Sequence, residues 1–302
     1  MEKDNSVKTK KGGKLAVRII VGVLLALVAI GLLVLCGYGH YQYIFIIETL
    51  FCALSVHEIM HVSGCKNKVL TYTAMTVGGV IPIIVAFDLG RFLPFSTNIL
   101  IAIYVIAMLI LMLKMYSVTR FEHVAIALFA SLMIPEATSC LFRLFRFMDE
   151  RRVLFCRSNI VFTLLIVMFC AWLCDTFALF TGMALGKHKM APNISPKKTV
   201  EGAIGGIIGT TVFSLITFFI CDHFYFSTDT IRWWMVLIIV PVICVMGMCG
   251  DLSASVIKRN YGFKDFGSLF PEHGGAMDRI DSFLFTMPST YLLIKIIVSL
   301  AA

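Results

Sequence analysis

An all-α, polytopic integral membrane protein of about nine transmembrane helices is predicted by three observations. Of the 302 residues, 59% are hydrophobic and only 15% are charged, with a mean hydropathy of +0.91, whereas soluble domains carry about 25% charged residues. A membrane-spanning helix needs roughly 20 mostly apolar residues, so nine of them would use about 180 positions and leave little for an extramembrane domain. Several apolar runs hold no charge at all, and the polar residues of the second half gather into discrete blocks.

Residues 1 to 14 hold Lys3, Lys8, Lys10, Lys11 and Lys14 and read as a basic cytoplasmic N-terminus. The run Leu15 to Cys36 is long for the apolar part of a cleaved signal peptide and lacks a small-x-small cleavage site, so it reads as a retained first span. Spans over 43 to 61, 69 to 87, 95 to 113 and 124 to 141 complete an N-terminal region of 15 to 158. Spans over 160 to 182, 203 to 220, 233 to 250 and 282 to 300 make up a C-terminal region, 159 to 302, expected to carry the chemistry. The segment 43 to 61 is unusual in carrying Glu48, His57 and Glu58.

With the N-terminus inside, 18 Lys and Arg fall on the inner side against seven outside, in line with the positive-inside bias. The Arg cluster at 143 to 157 opposes that bias and reads as an interfacial amphipathic segment, Leu141 to Phe147. Two spans separate the loop at 183 to 202 from the loop at 251 to 281, which places both on one side of the membrane. The net charge of +8 is accounted for by lipid head groups and topology rather than by nucleic acid. The ten cysteines, mostly in apolar runs and with no Cys-x-x-Cys, read as small buried hydrophobes. Gly202-x-x-x-Gly206 and Gly205-x-x-x-Gly209 are read as close helix packing.

Three polar blocks carry the candidate chemistry. Asp175 lies inside an apolar span, where a charge costs at least about 2.5 kcal/mol unless it meets water or a cation. Residues 186 to 202 combine four Lys and two Pro with the start of a helix near Thr199. Ammonium groups and free backbone N–H groups there point the same way, which suits phosphate. The third block places Asp251 at the end of one span and Asp278 and Asp281 at the start of the next. Carboxylates gathered near one membrane depth repel unless a divalent cation sits among them, and oxygen-only donors favour Mg²⁺ over zinc.

These blocks contain Ser195-Pro196-x-Lys198-Thr199-x-Glu201-Gly202, Gly250-Asp251-Leu252, Ser255-x-x-Lys258-Arg259 followed by Lys264-Asp265, and His273-Gly274-Gly275-x-x-Asp278-Arg279-x-Asp281. Together they resemble the phosphatidate cytidylyltransferase (CDP-diacylglycerol synthase) family, over about residues 175 to 281. The resemblance implies that CTP and phosphatidic acid react to give CDP-diacylglycerol and pyrophosphate. It implies catalytic roles for Asp251, Asp278, Lys258 and Arg259, and Mg²⁺, with or without a second cation, held by Asp251 and Asp278 with Asp281 or Asp175. Substrate contacts are expected from Ser195, Lys197, Lys198, Thr199, Glu201, Ser255, Lys264, Asp265, His273 and Arg279. The chain departs from the family pattern at Phe177, Glu272 and Ala276, which bears on lipid or nucleotide preference. The implied setting is a bacterial plasma membrane with the site facing the cytoplasm and membrane lipids as neighbours; a homodimer is left open.

Two other readings compete. His57-Glu58-Ile59-Met60-His61 satisfies H-E-x-x-H, the zinc motif of metalloproteases, but the nearest third ligand, in Asp88-Leu89-Gly90, reverses the expected order. An ion-coupled transporter would use Asp175 and Glu136 as intramembrane ion sites and would leave the loop motifs unexplained.

Overall fold

The computed structural model describes residues 20–24, 26–91, 97–150, 157–224, 232–270 and 274–301. The basic stretch 1–14, Arg151, Arg152, Glu272 and His273 therefore lie outside the described residues. The chain is helical almost throughout, as apolar backbone must be where no water can satisfy its polar groups. In order, α1 spans Ile20–Gly37, and a 3-10 turn at Tyr41–Ile44 leads into α2, Phe45–Val62. There follow α3 (Lys68–Ala86), α4 (Thr97–Lys114), α5 (Phe121–Thr138), α6 (Cys140–Glu150) and α7 (Arg157–Met168). A single π-helical turn at Phe169–Leu173 joins α7 to α8, Cys174–Leu185. A small hairpin of β1 (Lys189–Ala191) and β2 (Ser195–Thr199) opens onto α9, Val200–Phe224. The chain closes with α10 (Trp233–Asn260), the short α11 (Met277–Ile280) and α12 (Phe283–Ala301).

Each of the nine expected spans falls on a helix, and among the described residues eight helical stretches are long and apolar enough to cross a membrane. The ninth, expected at 95 to 113, is the shorter apolar helix Ile99–Lys114. The protein is thus a polytopic, all-α membrane protein apart from the hairpin. Pro82, Pro135, Pro241 and Pro288 sit inside α3, α5, α10 and α12. Each removes one helical hydrogen bond, a defect that neighbouring helices and local adjustment tolerate in apolar bundles. The start of α3 is set by Asn67, whose side-chain oxygen accepts from Val69 N at 3.0 Å and Leu70 N at 3.2 Å.

The glycines of α9 are packing devices, as expected from their spacing. A Cβ at Gly206 would lie 2.8 Å from the Cys174 carbonyl oxygen, and one at Gly209 would lie 2.8 Å from the Phe177 ring. Phe177 is accommodated by this glycine: its ring fills the space that Gly209 leaves open. Of the nine described cysteines, all free, six are buried, while Cys249 is exposed and Cys65 and Cys221 are intermediate.

The loop expected at 183 to 202 holds a hairpin, with Lys189 opposite Thr199 and Ala191 opposite Ser195. The Arg-rich segment is an amphipathic helix, as expected, and its apolar face packs against protein. Leu141, Phe142, Leu144, Phe145 and Met148 of α6 are buried in a cluster with Tyr291 and Ile294 of α12. Its arginines are met by acids: Arg143 forks onto Glu136, with Nη2 2.9 Å from Oε2, and Arg146 lies 2.8 Å from Asp88 while donating to the Val85 carbonyl at 2.6 Å. An amphipathic face can bury its apolar side against protein as well as against lipid, and local acids let the charges follow it.

Candidate active site

The site is assembled where α8 begins, where the hairpin feeds α9, and where α10 faces the α11–α12 turn. Lys198, at the end of β2, donates from Nζ to Asp251 Oδ2 of α10 and lies 4.0 Å from Asp175 Oδ1 of α8. One ammonium thus bridges two carboxylates from different helices. Burial works against the charge on Lys198, but Asp251 and then Asp175 outweigh it and hold its pKa above the ordinary lysine value. This pair is not sealed within the protein: the Asp175 side chain is 53% exposed and that of Asp251 22%.

A second ion pair lies deeper. Lys258 donates from Nζ to Asp278 Oδ1 at 2.7 Å, with the two side chains only 9% and 6% exposed. Asp278 Oδ2 accepts from Phe266 N and Gly275 N, each at 2.9 Å. The turn that supplies the Gly275 donor needs Gly274, which has φ +85 and whose Cβ would fall 2.9 Å from Asp278 Oδ2. The Lys258 ammonium also sits 5.3 Å from the centre of the Phe266 ring. Asp281, buried, accepts from Ser282 N at 2.7 Å and lies within electrostatic range of Asp251, Asp278 and Lys258. Gly250 lets α10 approach this turn, since a Cβ there would be 2.7 Å from the Asp281 carbonyl oxygen.

The expected residues therefore divide. Asp175, Lys198, Asp251, Lys258, Asp278 and Asp281 come together. Ser255 is buried on the same stretch of α10, one turn from both Asp251 and Lys258. Arg279 is within electrostatic range of Asp175, and its Nε is buried without a hydrogen-bond partner. Thr199 instead caps α9, accepting from Gly202 N at 3.1 Å. Glu201 ties down the base of the hairpin, accepting from Lys187 N at 3.1 Å and His188 N at 3.2 Å and pairing with His188 Nδ1 at 2.5 Å. Ser195 is part-buried at the start of β2. Lys197, Lys264 and Asp265 are exposed, and Arg259 turns to the Phe263 carbonyl at 2.9 Å. His273 lies outside the described residues.

The H-E-x-x-H motif divides as well. His57 and His61 are exposed, whereas Glu58 is buried and accepts from Ala276 N and Met277 N, each at 2.9 Å. A carboxylate occupied by two amides is not poised to activate water. Nor is Glu136 free for ion transport, being paired with Arg143. Among the described residues no three His, Cys, Asp or Glu side chains already converge as metal ligands. The donor chemistry nonetheless fits a hard cation. A carboxylate offers about four acceptor sites, of which Asp251 uses one, on Lys198, and Asp278 three. Lys198 sits between Asp251 and Asp175 in the position of a cation.

An apolar cavity of about 750 Å³ opens beside this cluster, walled by Leu32, Ile47, Phe51, Leu164, Phe283 and Met287 and ending at Asp175, Thr176 and Arg279. Asp175 thus belongs to both the charged cluster and the cavity. Sequence reasoning found the charged residues by type; it missed the cavity, which is lined from helices far apart in the sequence, and it missed Glu58's part, although an acid in an apolar span was a signal.

Comparison with known proteins places the chain in a family. A protein named phosphatidate cytidylyltransferase from Staphylococcus haemolyticus (strain JCSC1435) is 38% identical over 138 residues, 46% of this chain and 51% of that protein. Proteins of the same name from Staphylococcus saprophyticus and Thermotoga maritima are 40% and 36% identical over 138 and 133 residues, covering 46% and 44% of this chain and 51% and 49% of theirs. The chain spans about half the length of the curated relatives it matches. The model of the cytidylyltransferase family, in contrast, matches residues 16–297, nearly the whole chain, and the protein belongs to that family.

Proposed function

We propose that this protein transfers the cytidylyl group of CTP to phosphatidic acid, giving CDP-diacylglycerol and pyrophosphate. The observation that carries the reading is Asp175, shared between a cluster of paired acids and lysines and an apolar cavity. Such a junction suits a reaction between a water-soluble polyphosphate and an anionic lipid. The buried, unpartnered Nε of Arg279 at the end of the cavity supports a phosphate there, with acyl chain in the apolar part. The names of the relatives support the same chemistry.

In this reaction a phosphate oxygen of the lipid attacks the α-phosphorus of CTP in line. The new oxygen–phosphorus bond forms as the bond to the β-phosphate breaks, and pyrophosphate leaves with the electron pair. The attacking phosphate is already anionic, so no general base is required. Lys198, charged and reachable from solvent, holds phosphate oxygens once it is released from Asp251, and Arg279 orients the lipid phosphate. Lys197 and Lys264, exposed, draw the nucleotide in. Asp251 and Asp278, with Asp281 or Asp175, would hold Mg²⁺, which neutralises charge on attacking and leaving oxygens. Purified protein in detergent with labelled CTP, Mg²⁺ and phosphatidic acid should yield labelled CDP-diacylglycerol, dependent on both substrates. Absence of that product in folded protein would overturn the reading.

The site is proposed to face the cytoplasm of a bacterial plasma membrane, because CTP is cytoplasmic. In a cysteine-free background, needed because Cys249 is exposed, cysteines at Lys197 and Lys264 should be shielded from an impermeant thiol reagent in intact cells and labelled in inverted vesicles. Labelling of both in intact cells would invert the orientation.

A further inference from the structure

The H-E-x-x-H sequence of α2 is left without a role by the cytidylyl-transfer reading, yet its central acid is bound to the signature turn 218 residues away. Glu58 Oε1 accepts from Ala276 N and Oε2 from Met277 N, both at 2.9 Å, so one carboxylate clamps two successive amides at the start of α11. Two glycines make room for it: a Cβ at Gly267 or at Gly275 would run into the Glu58 carboxylate. Gly275 in turn donates its own N–H to Asp278 Oδ2. Phe266, beside Gly267, donates to the same oxygen, and Asp278 Oδ1 receives Lys258. The backbone on both sides of the Asp278 carboxylate is therefore wrapped around Glu58.

We infer that Glu58 is a positioning residue: it holds the Gly274–Met277 turn in the conformation that aims Asp278 and Lys258 into the cytidylyl-transfer site. The inference rests on the reaction proposed above. Glu58 touches neither substrate nor reacting atom in this arrangement; it acts through backbone amides of the turn. An anionic carboxylate accepting two N–H groups makes charge-assisted bonds, stronger than neutral ones. Glutamine presents one oxygen and one NH₂ group, so it satisfies one amide and opposes the other. Alanine satisfies neither and leaves both N–H groups buried and unpaired.

The test compares Glu58→Gln and Glu58→Ala with wild type, using hydrogen exchange of the peptide covering 274 to 280 and kinetics per folded molecule. Amides of the turn should exchange about 10- to 100-fold faster in the variants, with Ala worse than Gln, from loss of one or two charge-assisted bonds. Exchange in α9, remote from the turn, should be unchanged. The kcat should fall by a similar factor while KM for CTP stays within about threefold, because misaimed groups slow the transfer without removing the contacts that bind nucleotide. Gly275→Ala, which pushes on the carboxylate from the other side, should reproduce both effects if Glu58→Ala folds poorly. His57→Ala with His61→Ala should change neither. Unaltered exchange in the turn would overturn the clamp, and a loosened turn with unchanged kcat would overturn its positioning role. Should the wild-type chain transfer no cytidylyl group, the proposed function falls, and the exchange comparison still decides whether Glu58 holds the turn.

Discussion

Asp251→Asn should abolish cytidylyl transfer, by more than about 1,000-fold in kcat, in a protein that still inserts, purifies and melts as the wild type does. Asp251 uses one acceptor site, on Lys198, whereas Asp278 uses three. Asp251 is part-exposed, so the isosteric amide removes charge without opening a cavity or stranding a buried partner. Transition-state charge stabilisation of one removed group accounts for about 3 to 4 kcal/mol, and loss of an oxygen proposed to bind Mg²⁺ would add to it. Asp278→Asn should lose activity as deeply, but with measurable destabilisation, because Lys258 is then left buried with half its pairing. Raising Mg²⁺ should rescue Asp251→Asn only in part. Turnover within about threefold of wild type for Asp251→Asn would remove this residue from the phosphate-handling centre.

Lys258→Met and Lys198→Met should separate the two lysines. Both remove an ammonium that faces a carboxylate, yet the surroundings differ. The Lys258–Asp278 pair is buried at 9% and 6% exposure, so removing the lysine leaves a carboxylate with no counter-charge in a dry place. Breaking one side of a buried pair destabilises by about 3 to 5 kcal/mol, so Lys258→Met should lower the melting temperature and the yield together with activity. Lys198 lies between less enclosed acids, with Asp175 half exposed and Asp251 22% exposed. Its loss should therefore leave the melting temperature within a few degrees while cutting turnover by about 100-fold or more, through lost charge on the phosphate. The check is thermal unfolding in detergent beside single-turnover kinetics. Equal destabilisation by both variants would contradict the difference in burial on which the assignment rests.

The spans were legible in the amino-acid sequence because lipid leaves a chain few options. A run of about 20 apolar residues must satisfy its own backbone, and only a helix does so within one segment. Block composition likewise singled out Asp175, Asp251, Asp278 and Asp281, since charges near the membrane need partners, and the family resemblance added Lys198 and Lys258 among other basic residues. Which partner each found was not legible. Lys198 meets Asp251 across 53 positions and Glu58 meets Ala276 across 218, and no local periodicity encodes such distances. Glu58 looked like part of a zinc motif because spacing on α2 places His57 and His61 on one face; helix packing directs the acid to the signature turn instead. The Arg segment at 143 to 146 showed the pattern of an amphipathic helix, but that its arginines meet Glu136 and Asp88 was decided by folding. Hydropathy thus determined which residues enter the membrane, while the pairing of polar groups inside it was decided by how the helices pack, because an amphipathic face or a buried charge is satisfied by whatever the tertiary structure brings near.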